Sequence, residues 1–84
     1  MNPFWPQGYP IEVRSVGPVP HTLCWRGDEH RIDYLSARWR VHTRWWTARE
    51  VWRDYWEVAT GSGYLCVLYR DLLHDDWYLE RVYE

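Results

Sequence analysis

The chain has 84 residues, contains 8 Trp, 7 Tyr and 1 Phe, and carries a formal net charge of −2 at pH 7. This length allows one small domain. Each aromatic side chain can bury ~150–250 Å², so the rings alone are enough to build a core. All basic residues are Arg, and the near-neutral balance argues against a strongly basic nucleic-acid coat protein. No run approaches the ~20 apolar residues of a membrane-spanning helix.

The cysteine content and the first residues of the chain bear on its compartment. Cys24 and Cys66 are too few for a disulfide framework. We expect two buried free thiols on neighbouring strands; a single long-range disulfide is the alternative outside a reducing compartment. Residues 1–10 have neither the charged nor the apolar segment of a signal peptide. The expected location is therefore the cytoplasm, without contact to a membrane.

The first ten residues are rich in proline. Three of the five prolines fall in this segment, and proline lacks the backbone N–H that helices and central strands use. We therefore expect residues 1–10 to form a Pro-rich extended N-terminal arm, which docks through Phe4 and Trp5 or stays loose. The remaining residues, 11–84, are expected to form a single small β domain.

Alternating apolar residues and turn signals predict strands in the first half of the β domain. Two short strands cover residues 11–16 and 21–26, and a glycine-containing turn leads into a longer run over residues 29–41. The alternation slips within this run, which predicts a bulge near Ser36. A helix over residues 34–40 is the competing interpretation.

The second half of the chain contains a stronger hairpin signal. Thr47 and Glu50 have the spacing of a helix capping box, which predicts one helical turn there. Runs of β-branched and aromatic residues over 51–59 and 64–70 flank a glycine-rich turn, and a last strand covers 77–83. The sequence therefore predicts a mainly all-β fold. We expect a five- to six-stranded, strongly bent antiparallel meander, as an SH3-like small barrel or an open sheet, with at most one short helical turn.

No arrangement of reactive residues predicts catalysis. His21 and Cys24 are three apart in a predicted strand, so their side chains face opposite sides. The acidic pair Asp75-Asp76 falls in a predicted turn, and the four His residues are scattered singly without zinc-ligand spacing. We therefore expect no enzymatic activity, no catalytic residue, no cofactor and no metal site.

Charge is unevenly distributed along the chain. Residues 26–53 carry a net charge of +3, whereas residues 54–84 carry −5. Within the basic part, four Trp and four Arg interleave over residues 39–53. Rings that stack on bases beside arginines that bind phosphates are typical of single-strand binders, and Trp and Arg also dominate protein-interface hot spots. The candidate residues for binding a partner or nucleic acid are Trp39, Arg40, Arg44, Trp45, Trp46, Arg49 and Arg53.

The same stretch also has a purely structural interpretation. A tryptophan core with arginines on the opposite face, some of them stacked on rings, explains the composition without any ligand. The adjacent pair Trp45-Trp46 is the exception. Neighbouring side chains of an extended segment point to opposite faces, so only one of these rings readily packs inward. At least one of them is then an exposed anchor, unless a loop or the N-terminal arm covers it.

A spaced set of Trp, Arg and Tyr residues resembles a known family. The set includes Trp25-Arg26-Gly27, Trp39-Arg40, Trp45-Trp46, Arg53-Asp54-Tyr55-Trp56-Glu57-Val58, Leu68-Tyr69-Arg70-Asp71 and the closing segment from Trp77 to Glu84. Over residues 18–84 the chain is similar to a small bacterial domain of unknown function. That domain occurs alone or at the C-terminus of Y-family DNA polymerase-like proteins of mutagenic repair cassettes. The resemblance implies an accessory module of translesion synthesis or DNA repair, without established catalytic residues.

We therefore expect a non-catalytic accessory or interaction module, linked to DNA repair or translesion synthesis through a protein partner such as a DNA polymerase or repair factor. The alternative is a weak nucleic-acid-binding domain that uses the Trp and Arg surface. It predicts binding that weakens with salt, and a cluster of four arginines beside an exposed Trp45 or Trp46. The arginines of that cluster are Arg40, Arg44, Arg49 and Arg53. The sequence leaves the oligomeric state open.

Overall fold

The computed structural model describes residues 3–83, which form seven antiparallel β-strands and no helix. These residues accordingly contain no helix that could span a membrane. The all-β prediction is confirmed. The strands are β1 (Phe4–Pro10), β2 (Glu12–Val16), β3 (Val19–Trp25), β4 (Asp28–Thr43), β5 (Val51–Thr60), β6 (Leu65–Asp71) and β7 (Asp76–Tyr83).

The strands form one sheet in the order β1-β7-β6-β5-β4-β3-β2, so β2 to β7 follow one another as a meander. β1 and β2 lie at opposite edges of this sheet, yet only Ile11 separates them in the chain. Pro10 pairs with Tyr78 of β7, whereas Glu12 pairs with Cys24 of β3. The sheet must therefore curl until its two edges meet at Ile11, which gives a half-barrel.

The inner face of the curled sheet holds the main hydrophobic core. Strands β5 and β6 contribute alternate residues to it, because successive side chains of a strand point to opposite faces. Removing such apolar surface from water stabilises the fold by roughly 25 cal/mol per Å². The buried members of this core are Leu23, Trp25, Trp56, Val58, Cys66, Leu68, Leu79 and Val82.

The outer face carries an aromatic ladder that crosses four strands. Its rings are Trp39 of β4, Tyr55 of β5, Tyr69 of β6 and Tyr78 of β7, with successive ring centroids 5.2, 5.1 and 5.2 Å apart. Cross-strand aromatic pairs of this kind stabilise neighbouring strands. Tyr55 and Tyr69 are buried within the row, whereas Trp39 at its end is 40 % exposed.

The prediction of five or six strands is wrong, because the sheet has seven. The additional strand is β1, which forms from the proline-rich segment expected to be an arm. β1 is an edge strand, where a missing N–H is tolerated, and its register shifts between Phe4 and Tyr9, on either side of Pro6. Trp5 packs against the core, as expected for a docked segment. Phe4 instead lies on the outer face, under the Arg81 guanidinium.

A glycine allows β1 to lie close to the aromatic ladder. Gly8 has a φ of +80°, and a Cβ at this position would overlap the Tyr69 hydroxyl. With glycine in place, the Tyr69 hydroxyl donates a hydrogen bond to the Gln7 carbonyl oxygen, at 3.3 Å. Both the left-handed backbone and the close approach therefore require glycine here.

Strand β4 is longer than predicted and contains the predicted bulge. It spans Asp28–Thr43, and its register against β5 shifts between Leu35 and Ala37, which confirms the bulge at Ser36. The competing helix over residues 34–40 is therefore wrong. Pairing with β5 along most of its length holds this segment extended.

The helical turn predicted at Thr47 does not form. Residues 44–50 make a hydrogen-bonded loop between β4 and β5 instead. In a capping box, Glu50 would turn back to the N–H of Thr47. Its carboxylate binds His42 across the base of the loop, so hairpin pairing prevails over the local helix signal.

The two cysteines are free, as expected, but Cys24 is only half-buried, and the two residues do not lie on neighbouring strands. Cys24 belongs to β3 and Cys66 to β6, and two strands of the sheet separate them. Cys66 lies in the core, where burial raises the pKa of its thiol to about 11. The Cys66 thiol is therefore protonated and unreactive at neutral pH.

Candidate functional site

The predicted binding residues all belong to the hairpin that β4 and β5 form. From Ala37 to Thr43 its two strands pair residue by residue without a further shift. The pairing of β6 with β5 ends at Arg53, so the loop that connects β4 to β5 projects beyond the neighbouring strand. We call this loop, residues 44–50, the hairpin tip.

Two adjacent tryptophans dominate the hairpin tip. Trp45 and Trp46 are 64 % and 69 % exposed, and their rings contact edge to face with centroids 5.1 Å apart. Arg44 has a left-handed backbone with a φ of 53°, so the chain turns here rather than continuing as a strand. The two rings therefore lie together outside the core, and not on opposite faces as in an extended segment.

Hydrogen bonds around Thr47 give the hairpin tip a defined shape. The Thr47 N–H and hydroxyl both donate to the Arg44 carbonyl oxygen, at 3.0 and 3.1 Å. The Thr47 hydroxyl oxygen also accepts a hydrogen bond from the Arg49 N–H, at 3.1 Å. At the base of the tip, His42 Nε2 lies 2.7 Å from a Glu50 carboxylate oxygen. The tryptophan rings are thus presented on an ordered turn.

Two positively charged side chains accompany the tryptophans at the tip. Arg44 and Arg49 have no ion pair within residues 3–83. Together with Trp46 they line an open surface depression. The nearby carboxylate of Glu50 is engaged by His42. The tip therefore combines exposed indole rings with two positively charged arginines.

On the inner side of the hairpin, Asp54 binds two arginines of β4. Arg40 donates two hydrogen bonds to the Asp54 carboxylate, at 2.6 and 3.0 Å, and Arg38 lies 3.6 Å from it. Asp54 is only 4 % exposed, so these contacts replace its hydration. The hydrogen bonds from Arg40 lower the pKa of Asp54 and raise the pKa of Arg40. Arg40 is therefore held by the fold.

On the outer side of the hairpin, Trp39 ends the aromatic ladder and Arg53 contacts two of its rings. Trp39 stacks on Tyr55 with the ring planes 5° apart. The Arg53 guanidinium lies 4.4 Å from the centroid of the Tyr69 ring and donates a hydrogen bond to the Tyr55 hydroxyl, at 3.2 Å. Arg53 thus has structural partners, whereas Trp39 keeps part of its ring exposed at the end of the ladder.

The structure divides the predicted site into three parts. Four of its residues meet at the hairpin tip, two lie on the outer face of the hairpin and one on the inner face. The four arginines of the nucleic-acid hypothesis do not form one cluster, because side chains alternate between the two faces of a strand. The parts are Arg44, Trp45, Trp46 and Arg49 at the tip, Trp39 and Arg53 outside, and Arg40 inside.

Sequence reasoning missed the partners that hold the arginines. Asp54 lies in the acidic part of the chain, and its contact with Arg40 depends on the register of β4 against β5. The alternation of side chains between the two faces of β5 was the one sequence signal that bore on these contacts. Arg53 and Tyr55 share one face of the strand, and Asp54 and Trp56 share the other. Assigning an arginine to either group required the register, which the sequence did not specify.

One polar contact outside the hairpin resembles a catalytic pair. His30 Nδ1 lies 2.6 Å from Ser62 Oγ, which is also 2.9 Å from Thr60 Oγ1. These contacts fasten the β5–β6 turn to the start of β4. In the described part of the chain no carboxylate hydrogen-bonds the His30 ring, whose other neighbours are the rings of Trp25 and Tyr64.

The described side chains do not form a metal site either. Within residues 3–83, no three His, Cys, Asp or Glu side chains are grouped so that they could hold a metal ion. His74 lies 2.9 Å from a carboxylate oxygen of Asp71, and this contact raises the pKa of the imidazole. The pair closes the turn between β6 and β7.

Comparisons with protein-family models, curated proteins and solved structures found no match.

Proposed function

We propose that this protein is a non-catalytic interaction module that binds a protein partner through the hairpin tip. The observation that carries the proposal is the pair of exposed rings, Trp45 and Trp46, on an ordered turn. The core is closed by other tryptophans, among them Trp25 and Trp56. Large apolar rings that project from a fold without packing into it are typical of binding surfaces.

The chemistry of the hairpin tip matches that of protein-interface hot spots. Trp and Arg are among the residue types most enriched in such positions, and each buried Trp removes ~150–250 Å² from water. Arg44 and Arg49 favour a partner surface with negative charge, because complementary charges steer and orient the encounter. The hydrogen bonds of Thr47 order the turn before binding, which reduces the conformational entropy lost in the complex.

We further propose that the partner is a DNA polymerase or another repair factor, and that the module acts in the cytoplasm. The resemblance over residues 18–84 to the small domain of mutagenic repair cassettes supports this assignment. A module that occurs both alone and attached to polymerase-like proteins suits an adaptor, which brings two proteins together without catalysing a reaction.

Retention of a partner on the immobilised protein tests the proposal. We expect the wild type to retain a defined protein from an extract of the source cells, and the double variant Trp45→Ala/Trp46→Ala to lose it. Val16→Ala is the matched control, because Val16 is an exposed apolar residue outside the hairpin, at 65 % exposure. Equal retention by the wild type and the double variant contradicts the proposal.

A second function, weak nucleic-acid binding, is favoured by Arg44 and Arg49 beside the exposed rings. Base stacking on Trp and phosphate contacts from Arg are how sequence-tolerant single-strand binders work. A tryptophan fluorescence titration with short single-stranded and duplex DNA, at about 50 and 200 mM salt, separates this function from the first.

Saturable quenching that weakens with salt supports direct nucleic-acid binding, provided that Arg44→Ala abolishes it. Arg14→Ala is the control, because it removes the same charge from an exposed position on β2. The absence of any response at micromolar protein and low salt excludes this function.

A further inference from the structure

Strand β4 has a long free edge. β3 pairs with β4 only as far as Arg31, and Pro20 has no N–H with which to extend that ladder. Beyond the bulge at Ser36, residues 37–43 keep an unbroken register with β5 on one side. No strand within residues 3–83 pairs with them on the other side. A regular strand with unpaired backbone groups is a template for an added strand.

This edge carries charge in Arg38 and Arg40, but it lacks the other protections that edge strands usually have. β4 contains neither Pro nor Lys, and the bulge at Ser36 leaves the residues after it regular. The side chains of Arg38 and Arg40 point towards Asp54 of β5, so they do not cover the unpaired backbone groups of β4. Among residues 37–43 only Val41 is partly buried. The free edge is therefore accessible to another extended chain.

The two faces of this edge differ in chemistry. On the outer face, Trp39 ends the aromatic ladder and stacks on Tyr55 on one side only. On the inner face, two arginines share the single carboxylate of Asp54, which leaves a surplus of positive charge. Outer-face residues are Ala37, Trp39 and Val41, and inner-face residues are Arg38, Arg40 and His42.

We propose, on the basis of the interaction function above, that the β4 edge adds an extended segment of the partner protein in which acidic residues alternate with aromatic or β-branched ones. The acidic side chains of the added strand lie beside Arg38 and Arg40. Its aromatic side chains lie on the outer face, where one of them continues the ladder beyond Trp39. Backbone hydrogen bonds supply affinity and the alternating side chains supply specificity.

Charge argues against a second copy of this chain as the occupant. In antiparallel pairing of two β4 edges around a two-fold axis, matching inner faces bring cations opposite each other. With Trp39 opposite its own copy, Arg38 faces Arg40 of the other molecule. Like charges directly opposite each other destabilise a strand pair, whereas an acidic strand neutralises the same positions.

The probe is a short synthetic peptide in which Glu alternates with Tyr and Val. Binding is followed by the backbone amide NMR shifts and hydrogen exchange of the full-length protein. Two N-methylated versions of the probe test strand addition, one methylated at every Glu and the other at every Tyr and Val. An added strand uses only one of its two hydrogen-bonding edges, so one version should bind like the parent and the other should not bind.

Substitutions in the protein identify the surface that is used. We expect Trp39→Ala to weaken probe binding roughly tenfold, because it removes the ring pair and its apolar contact. Val16→Ala is the control, because Val16 is an exposed apolar residue on β2, outside the hairpin, and the substitution should leave probe binding unchanged. Arg38→Gln should weaken the Glu probe but not a probe with Gln at the same positions, which reports the charge contact independently of Trp39.

Several results would overturn the inference. These are no binding at about 1 mM probe, equal binding of both N-methylated probes, and shifts confined to the hairpin tip. Concentration-dependent protection of residues 37–43 without probe would assign the edge to a second copy, and displacement of the probe by single-stranded DNA would assign it to nucleic acid. Loss of partner retention in Trp45→Ala/Trp46→Ala is measured separately, so the interaction function can stand when the strand-addition inference fails.

Discussion

At the residue scale, the carboxylate of Asp54 determines how the inner side of the hairpin is held together. It is almost completely buried and accepts two hydrogen bonds from Arg40. A hydrogen bond to a charged group contributes ~1.5–3 kcal/mol when it is buried, but Arg40 is partly hydrated, with a side chain that is 54 % exposed. The Asp54 contacts should therefore contribute more to the free energy of unfolding than a surface ion pair does, and each hydrogen bond should contribute less than a fully buried one.

We expect Asp54→Asn to lower the free energy of unfolding by about 1–2 kcal/mol at neutral pH. The substitution removes the negative charge of Asp54, so Arg38 and Arg40 remain beside each other without the carboxylate that they share. Urea unfolding measures the change. Asp33→Asn is the control, because Asp33 forms an exposed ion pair with Arg31 at 3.2 Å and its loss should change stability by less than about 0.5 kcal/mol. Equal effects of the two substitutions would show that burial of Asp54 is unimportant.

The same residue predicts how stability depends on pH. Hydrogen bonds from Arg40 lower the pKa of Asp54 in the folded protein. A lowered carboxyl pKa stabilises the fold above the pKa of the unfolded chain, and this stabilisation is lost as the pH falls through the folded pKa. Between about pH 4 and pH 2, wild-type stability should fall more steeply than that of Asp54→Asn. Parallel curves would contradict the assignment.

Gly8 is a second residue whose role depends on tertiary contacts. We expect Gly8→Ala to lower the free energy of unfolding by about 2–4 kcal/mol, because the new methyl group strains a left-handed backbone and overlaps the Tyr69 hydroxyl. Gly17→Ala is the matched control. Gly17 also has a positive φ, of 59°, but a Cβ there would meet nothing within 4 Å, so only about 1 kcal/mol should be lost.

Removing the overlapping hydroxyl separates the two causes at Gly8. Tyr69→Phe should recover part of the stability lost in Gly8→Ala, although on its own it removes the hydrogen bond to Gln7. Additive effects of Gly8→Ala and Tyr69→Phe in a double-mutant cycle would show that the overlap with the Tyr69 hydroxyl is not the cause. The contact with the Tyr78 Cβ, which lies 2.9 Å from the added carbon, would then remain as the steric cause.

At the scale of elements, the core strands and the hairpin tip use tryptophan in two different ways. Trp25 and Trp56 are 3 % and 2 % exposed and belong to the core, whereas the tip rings are largely exposed. We expect Trp56→Ala to cost about 3–5 kcal/mol of stability, and Trp45→Ala/Trp46→Ala less than about 1 kcal/mol, the value of their mutual ring contact. Thermal and urea unfolding measure both. A large loss for the tip variant would mean that the rings are structural.

The predictability of each element follows from where its signal lies. The predicted strands over 51–59 and 64–70 agree closely with β5 and β6, because local turn chemistry and β-branched runs specify them. β1 could not be predicted, because its prolines oppose strand formation and only pairing with β7 offsets this. At the tip, a capping-box spacing competed with hairpin closure, and closure prevailed.

The candidate site was also predictable only where its signal was local in the sequence. Adjacency alone indicated that Trp45 or Trp46 would be exposed, and the structure places both rings outside the core. Arg40 and Arg53 could not be assigned to a face, because that assignment depends on the register of the hairpin and on the bulge at Ser36. A single-residue change of register moves every side chain to the opposite face.

At the scale of the whole molecule, the closure of the sheet depends on the segment around Ile11. β1 covers one edge through β7, and β2 covers the other through β3. The residues expected to form an extended arm, docked or loose, therefore contribute a strand, and their Trp5 ring packs against the core. The molecule has one curled sheet, and its two edge strands, β1 and β2, are connected through Ile11.

We expect a truncated chain that begins at Ile11 to be less stable by at least about 3 kcal/mol, because it loses the contacts of Trp5 and exposes the edge of β7. Urea unfolding and near-ultraviolet circular dichroism measure the loss of stability and of fixed aromatic packing. Trp5→Ala in the full-length chain is the comparison, since it removes the ring and keeps the strand. Unchanged stability after truncation would restore the interpretation of a free arm.

Position-specific photo-cross-linking tests the central claim, that the hairpin tip binds a protein. A photoreactive amino acid replaces Trp46 in one protein and Val16 in another, and both are irradiated in extracts of the source cells. We predict one defined protein adduct at position 46 and none at position 16. Excess unlabelled wild type should abolish the adduct, and excess Trp45→Ala/Trp46→Ala should not. Identical adducts at both positions, or adducts with nucleic acid only, would contradict the account.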